Sequence, residues 1–199
     1  MKSYRGYSLA ELMATITVIG ILAVASVPNV SAYLRSTYAE GAADQLSGDL
    51  RLARSRAILE GNDYLVQFTS TSTYTLVDDD GGGNGIPGSA GYTAANRHNG
   101  QADDEETVLG PFRLPRDVRF ATVAGIVNPF TNETLTDAVS FPEEGGFPTL
   151  IFHSNGTAED AGFVALQPSL DSGRDCTARC KVLQVIAPTG AVEVRNAGQ

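Results

Sequence analysis

The stretch RGYSLAELMATITVIGILAVASVP, residues 5–28, decides the fold of the N-terminal part of this chain. It begins with a basic residue and a glycine and continues as an apolar run, with Glu11 near its start. Residues 12–34 carry no charged side chain, which is about the length of helix that crosses a bilayer at ~1.5 Å per residue. A carboxylate at the start of such a segment is costly, so we expect Glu11 to have a partner of opposite charge.

Three interpretations of this segment compete. A cleaved secretory signal would combine a basic start, a shorter apolar core and a small-residue cleavage site, for which Ala23-Val24-Ala25 is a candidate. A plain membrane anchor would explain the length of the run but would leave Glu11 without a role. Lys2 and Arg5 precede the run and predict a cytoplasmic leader, with the rest of the chain outside.

The third interpretation is a resemblance to the class III signal of type IV pilins and type II secretion pseudopilins. In that family a prepilin peptidase cuts after a glycine, the new N-terminal residue is methylated, and the fifth mature residue is glutamate. The resemblance implies a leader of residues 1–6 that ends at Gly6, a methylated Tyr7 where phenylalanine is usual, and Glu11 at mature position five. It also implies that Glu11 of one subunit pairs with the α-amine of Tyr7 in a neighbouring subunit.

After Pro28 the sequence predicts that the helix continues with one apolar face. Pro28 lacks a helical N–H donor and is expected to bend the helix or to open a turn. An amphipathic pattern follows, and Gly61-Asn62 predicts the helix end. We therefore expect a helix over residues 7–61, with a transmembrane part at about 9–30. Its second part has apolar positions at Ala39, Ala42, Leu46, Leu50, Ala53 and Ala57.

From Asp63 onward, short β-rich runs alternate with Gly, Pro and Asn. Residues 62–199 are expected to form a periplasmic β-rich globular domain. The predicted fold is α+β, a long N-terminal helix packed on an antiparallel sheet or sandwich, and the resemblance implies a pilin-like lollipop. The candidate strands are 64–69, 73–77, 108–114, 117–123, 149–153, 163–167, 182–187 and 191–195.

Within the pilin-like proteins, the chain resembles the FimT/GspH group of minor pilins and pseudopilins. Residues 42–62, AADQLSGDLRLARSRAILEGN, are similar to that group's L-x-x-D-L-x-x-A-R-S-x-A helix, and residues 150–157 and 188–190 resemble a later strand-turn and the last hairpin. The resemblance implies a structural subunit with a single pass through the inner membrane, in a type II secretion pseudopilus or a type IV pilus. Its implied partners are prepilin peptidase and the other pilins of the fibre.

An acidic, glycine-rich insertion at residues 78–107 is a candidate cation site. Asp78, Asp79, Asp80 and Asn84 would supply oxygen ligands for Ca²⁺, although their spacing is not that of an EF-hand. The favoured interpretation is a solvated loop, and no other cofactor is expected.

The two cysteines, Cys176 and Cys180, lie close together late in the chain. In a periplasmic domain we expect them to form a disulfide that shapes a local loop. The alternatives are plain thiols in a cytosolic protein and one half of a metal site.

Two further classes of function are alternatives. A net charge of −9 disfavours nucleic acid. DNA-binding FimT-like pilins carry a C-terminal G-R-x-R element, but residues 190–193 here read GAVE, so DNA uptake is the weaker hypothesis. A membrane-tethered enzyme is disfavoured because His98 and His153 belong to no recognisable catalytic motif. The basic residues available to DNA are Arg113, Arg116, Arg119, Arg174, Arg179 and Lys181.

Overall fold

A computed structural model describes residues 8–82, 90, 93–95, 97–103, 106–115, 117–122, 127–169 and 179–197. The chain divides into two compact units, Met1–Arg35 and Ser36–Gln199. The predicted leader of residues 1–6 lies outside the described residues.

One long helix, α1, forms Leu9–Glu60. It begins after Ser8, whose Oγ accepts a hydrogen bond from the amide of Glu11 at 3.2 Å and so caps the helix. It ends as predicted at Gly61, whose φ of 72° is a left-handed conformation that glycine adopts without strain. A bend or an opened turn was predicted at Pro28. The helix is continuous through this proline, so the opened turn is absent there.

The second half of α1 supplies one wall of the core. All six apolar positions predicted for it are confirmed, since each is 0% exposed. Most of them are alanines, which allow close approach to the helix backbone, while Leu46 and Leu50 are larger side chains of the same core as the strands.

Nine strands follow α1 within the described residues. The eight predicted strands are all present with shifted ends, and the largest difference is at 117–123, where three of the described residues 117–122 form a strand. The ninth strand, Glu143–Glu144, was not predicted, because two glutamates give no alternating apolar pattern. The strands are β1 Asp63–Gln67, β2 Thr73–Asp79, β3 Thr107–Arg113, β4 Val118–Phe120, β5 Glu143–Glu144, β6 Phe147–Phe152, β7 Gly162–Pro168, β8 Lys181–Ile186 and β9 Ala191–Asn196.

The strands form two antiparallel sheets, in the orders β3-β2-β1-β6-β5 and β4-β7-β8-β9. Side chains from both sheets and from α1 share one core, for example Tyr64 and Phe152 of the first sheet and Leu183 of the second. The predicted α+β fold, a helix packed on antiparallel sheets, is therefore confirmed.

The predicted insertion differs from expectation at its first residues. β2 extends through Asp78 and Asp79, because Asp79 pairs with Asp63 of β1 and Asp78 with Tyr64. Asp78, Asp79 and Asp80 are only 8%, 0% and 3% exposed, so the prediction of a solvated acidic loop is wrong for them. Strand pairing and hydrogen bonds hold these carboxylates inside the protein.

No helix in the described part of the chain is long and apolar enough to cross a membrane. The transmembrane segment predicted at about 9–30 is thus not confirmed.

Candidate functional sites

Glu11 lies in the first turn of α1. Ser8-Leu9-Ala10-Glu11 has the spacing of a capping box, and the Glu11 amide donates to Ser8 Oγ. A carboxylate in this turn is also stabilised by the positive end of the helix dipole. This capping role was not among the predictions for Glu11, although the S-x-x-E spacing signals it. The other two residues of the predicted signal, Gly6 and Tyr7, lie outside the described residues.

The first half of α1 carries a large apolar surface. The hydroxyls of Thr15 and Thr17 donate to the carbonyls of Leu12 and Met13, both at 2.8 Å, so these polar groups are satisfied within the helix. An exposed apolar surface of this extent is typical of one that another apolar surface covers. The large hydrophobic side chains that are described and more than half exposed here are Leu9, Leu12, Met13, Ile16, Val18, Ile19, Ile21, Leu22, Val24, Val30 and Tyr33.

Polar residues of the second half of α1 fasten the helix to the strands. The Tyr74 hydroxyl donates to the Asp49 carboxylate, and burial followed by this bond raises the pKa of Tyr74 above its usual range. Arg54 Nε donates to the carbonyl of Gly156 at 2.8 Å, and Arg51 Nη2 donates to that of Val192 at 3.2 Å. Asp49 and Arg54 are two of the three polar positions of the L-x-x-D-L-x-x-A-R-S-x-A pattern, and these two have a structural role in docking the helix.

A second tyrosine connects the end of α1 to β2. The Tyr64 hydroxyl donates to Glu60 and also lies 3.0 Å from Asp78 Oδ2. The hydroxyl has one proton, for which Glu60 and Asp78 Oδ2 are both acceptors, and its donation to the Asp78 carboxylate favours the charged form of Asp78. Burial, opposed by the Tyr64 bond and aided by the Asp80 and Glu60 charges, raises the pKa of Asp78 to about 6.

The two histidines of the chain meet at one carboxylate. His98 Nδ1 lies 3.3 Å from Asp63 Oδ1, and His153 Nδ1 lies 2.9 Å from Asp63 Oδ2. The amide of Ser154 also donates to Asp63 Oδ1 at 2.9 Å. Asp63 therefore ties the insertion and the turn after β6 to the start of β1. No sequence signal predicted this cluster, because its members are distant along the chain.

The residues predicted to bind Ca²⁺ do not converge on one point. Asp78 faces Tyr64, Asp79 Oδ2 accepts the Gly100 amide at 2.9 Å, and Asp80 Oδ1 accepts the Gly82 amide at 2.8 Å. Asn84 lies outside the described residues, among which no group of three or more His, Cys, Asp or Glu residues could hold a metal ion. Calcium binding by that set stays a prediction.

The remaining predicted sites are only partly described. Cys180 is buried and is not a free thiol, whereas Cys176 lies outside the described residues, so their pairing stays a prediction. Arg116 and Arg174 also lie outside them. In place of the G-R-x-R element, residues 190–193 end at Glu193 of β9, whose carboxylate pairs with Arg195 at 2.9 Å and would repel a phosphate.

Two family models match the sequence of this chain. Residues 42–190 match the family described as Type II transport protein GspH, and residues 1–27 match the prokaryotic N-terminal methylation motif. The chain belongs to the GspH family. The predicted resemblance to FimT/GspH proteins and to a class III signal is confirmed. Membership also places this GspH chain among pilin-like subunits, and neither alternative function gains support.

Known proteins similar to this GspH chain include pilins and a pseudopilin. It is 36% identical over 73 residues to a fimbrial protein of Pseudomonas aeruginosa, which is 37% of this chain and 47% of that protein. The chain thus spans about half the length of the curated relatives that it matches.

Two solved structures are similar to this GspH chain. The minor pseudopilin EpsH from the Type 2 Secretion System of Vibrio cholerae has 16% identity and a TM-score of 0.45, over 81% of this chain and 98% of that chain. The type IV minor pilin FimU of P. aeruginosa PAO1 has 14% identity and a TM-score of 0.40, over 81% of this chain and 90% of that chain.

Proposed function

We propose that this protein is a minor pilin or pseudopilin that prepilin peptidase cuts after Gly6 and that assembles through α1 as a structural subunit. Its fibre is a type II secretion pseudopilus or a type IV pilus. The observation that carries the proposal is Glu11 in the first turn of a helix whose large apolar side chains are 56% to 78% exposed from Leu9 to Val24. The N-terminal methylation motif over residues 1–27 supports it.

In this proposal, assembly accounts for both the Glu11 carboxylate and the exposed apolar surface of α1. Apolar side chains of this exposure are stable when lipid or neighbouring helices cover them. A carboxylate in the same surroundings needs a cation, because an unpaired buried charge costs several kcal/mol. Cleavage after Gly6 would create an α-amine on Tyr7, and that amine in a neighbouring subunit is the proposed partner of Glu11. Before assembly, the subunit would reside in the inner membrane, with its β-rich domain in the periplasm.

Glu11→Leu tests the proposed assembly role. We expect the variant to be cut after Gly6 and to reach the membrane, but to be lost from purified fibres by at least ~10-fold, the effect of ~1.4 kcal/mol per contact. Mass spectrometry of wild-type fibres should find a mature chain that starts at methylated Tyr7. Asp44→Asn, which changes an exposed carboxylate on the same helix, is the control and should assemble normally.

Two results would contradict the proposal. One is a wild-type chain that starts at a residue other than Tyr7. The other is incorporation of Glu11→Leu into fibres at the level of the control. Crosslinking of the wild type to its neighbours in the fibre would then identify the machine, since secretion pseudopilins and pilus pilins are different partners.

A further inference from the structure

A groove of about 580 Å³ lies in the β-rich domain, between the turn that follows β1 and the segment that precedes β5. Residues 68–71 contribute to one side of it and residues 137–141 form the other. The groove is larger than the other cavities lined by described residues, which measure about 350 Å³ or less. Its size is within the range of sites that bind ligands in proteins.

One side of the groove pairs with the edge of β7. The carbonyl of Ala138 accepts the Ala165 amide at 2.7 Å, and the Ser140 amide donates to the carbonyl of Phe163 at 3.1 Å. Because these two bonds face β7, Val139 between them directs its own N–H and C=O away from β7. Among the described residues, neither group of Val139 has a main-chain partner.

The free edge at Val139 faces the groove. Further along, β4 pairs with the same edge of β7, where Phe120 lies opposite Leu166. The Phe120 amide donates to the carbonyl of Thr71 at 2.7 Å, so residues 68–71 lie beyond that edge. A strand that entered the groove would therefore lie beside Val139 and extend the second sheet.

The floor of the groove is aromatic and its rim is acidic. The ring of Phe68 packs edge-on against Phe120, with 5.3 Å between centroids, and stacks on Phe141 at 6.1 Å. The carboxylates of Asp137 and Glu143 are exposed at the rim, and neither belongs to an ion pair within the described residues. A ligand that complements this groove has apolar side chains for the floor and a cation for the rim.

We propose that the groove binds an extended segment of another protein, which is added as a strand to the free edge at Val139. In this kind of recognition, main-chain hydrogen bonds to an unpaired edge give affinity, and contacts of alternate side chains give specificity. Alternate side chains of a strand point to the same face, so apolar ones enter the groove. A lysine or arginine near one end of the segment reaches Asp137 or Glu143. This binding is separate from the contacts proposed for α1.

A phage-displayed library of random linear peptides, selected on the full chain in detergent, tests the proposal. We expect the enriched sequences to carry apolar residues at every second position together with lysine or arginine. A synthetic peptide of the enriched sequence should bind in fluorescence anisotropy, more weakly as salt is added, because exposed ion pairs are screened. It should also shift the amide NMR signal of Val139, because that N–H gains an acceptor.

The double substitution Asp137→Lys with Glu143→Lys reverses the charge of the rim. Both side chains are exposed, so the variant should keep the melting temperature of the wild type. Its affinity for the enriched peptide should fall by at least ~10-fold at low salt. Glu133→Lys, at an exposed acidic position that does not line the groove, is the matched control and should bind like the wild type.

Three results would overturn the proposal. Selection on the wild type could enrich no sequence, or the enriched peptide could bind the double variant as tightly as the wild type and leave the Val139 signal unshifted. The third is a dimer of the wild type that forms with increasing concentration and that the double variant does not form. A second copy of this chain, and not another protein, would then fill the groove.

Discussion

At the scale of single residues, Asp78 makes stability depend on pH. Its pKa rises from 3.8 to about 6 on folding, mainly through burial. A carboxyl whose folded pKa is raised binds more protons when folded, so its contribution is complete below the unfolded pKa and is lost as pH rises through the folded pKa. The same sign holds for Glu106, whose pKa rises from 4.5 to about 7.

Asp78→Asn should therefore flatten the pH profile. In calcium-free buffer, we expect the wild type to lose ~1–3 kcal/mol of unfolding free energy through Asp78 between about pH 4 and pH 7, and the variant to lose correspondingly less. Urea unfolding at several pH values measures this. Glu159→Gln, at an exposed position, should keep the wild-type slope. An unchanged slope in Asp78→Asn would contradict the assignment.

Gly190 is a residue that only glycine fits. Its φ is 59°, and a Cβ there would lie 2.3 Å from the carbonyl oxygen of Gly156 and 2.9 Å from Arg54 Nε. Gly190→Ala should destabilise the protein by at least ~2 kcal/mol, through backbone strain and through the displaced Arg54–Gly156 hydrogen bond. Thermal or urea unfolding gives the value.

Gly145→Ala is the matched control for this change. Gly145 has nearly the same φ, 60°, but a Cβ there would have no atom within 4 Å. Only the backbone cost of ~1 kcal/mol should appear. Equal losses in the two variants would show that the contact with Gly156 does not matter.

At the scale of elements, the second half of α1 is stabilised by the face that it buries. Leu46→Ala should cost ~2–5 kcal/mol, because Leu46 is 0% exposed in the shared core and its removal leaves a cavity. Leu59→Ala, on the same helix but 82% exposed, should change stability by less than ~0.5 kcal/mol. Chemical unfolding of both variants compares them, and similar losses would mean that α1 does not dock as described.

At the scale of the whole molecule, the core lies within the unit Ser36–Gln199, and among the α1 residues whose burial is described, the first buried apolar one is Ala39. A fragment of residues 36–199 should therefore unfold in one cooperative transition, within ~4 °C of the full chain. Thermal unfolding followed by near-ultraviolet circular dichroism measures this. A fragment without fixed tertiary structure would show that residues before 36 are needed for folding.

The sequence by itself determined the helix, its buried face, eight of the strands and the family. Each depends on local periodicity or on a short motif, such as the apolar spacing from Ala39 to Ala57 and Glu11 after Gly6, and local pattern is legible in one dimension. The capping box at Ser8 was equally legible and was missed. The strand β5 could not be predicted, because two residues paired by a tight hairpin give no alternating apolar pattern.

Only the tertiary structure decided which polar groups meet. Asp63, His98 and His153 come from three separate segments, and both imidazoles lie within 3.3 Å of the Asp63 carboxylate. Strand pairing buries Asp78 and Asp79, residues that composition alone places in solvent. Burial and charge proximity depend on distances through space, and a carboxylate acquires its altered pKa from those distances and not from its neighbours along the chain.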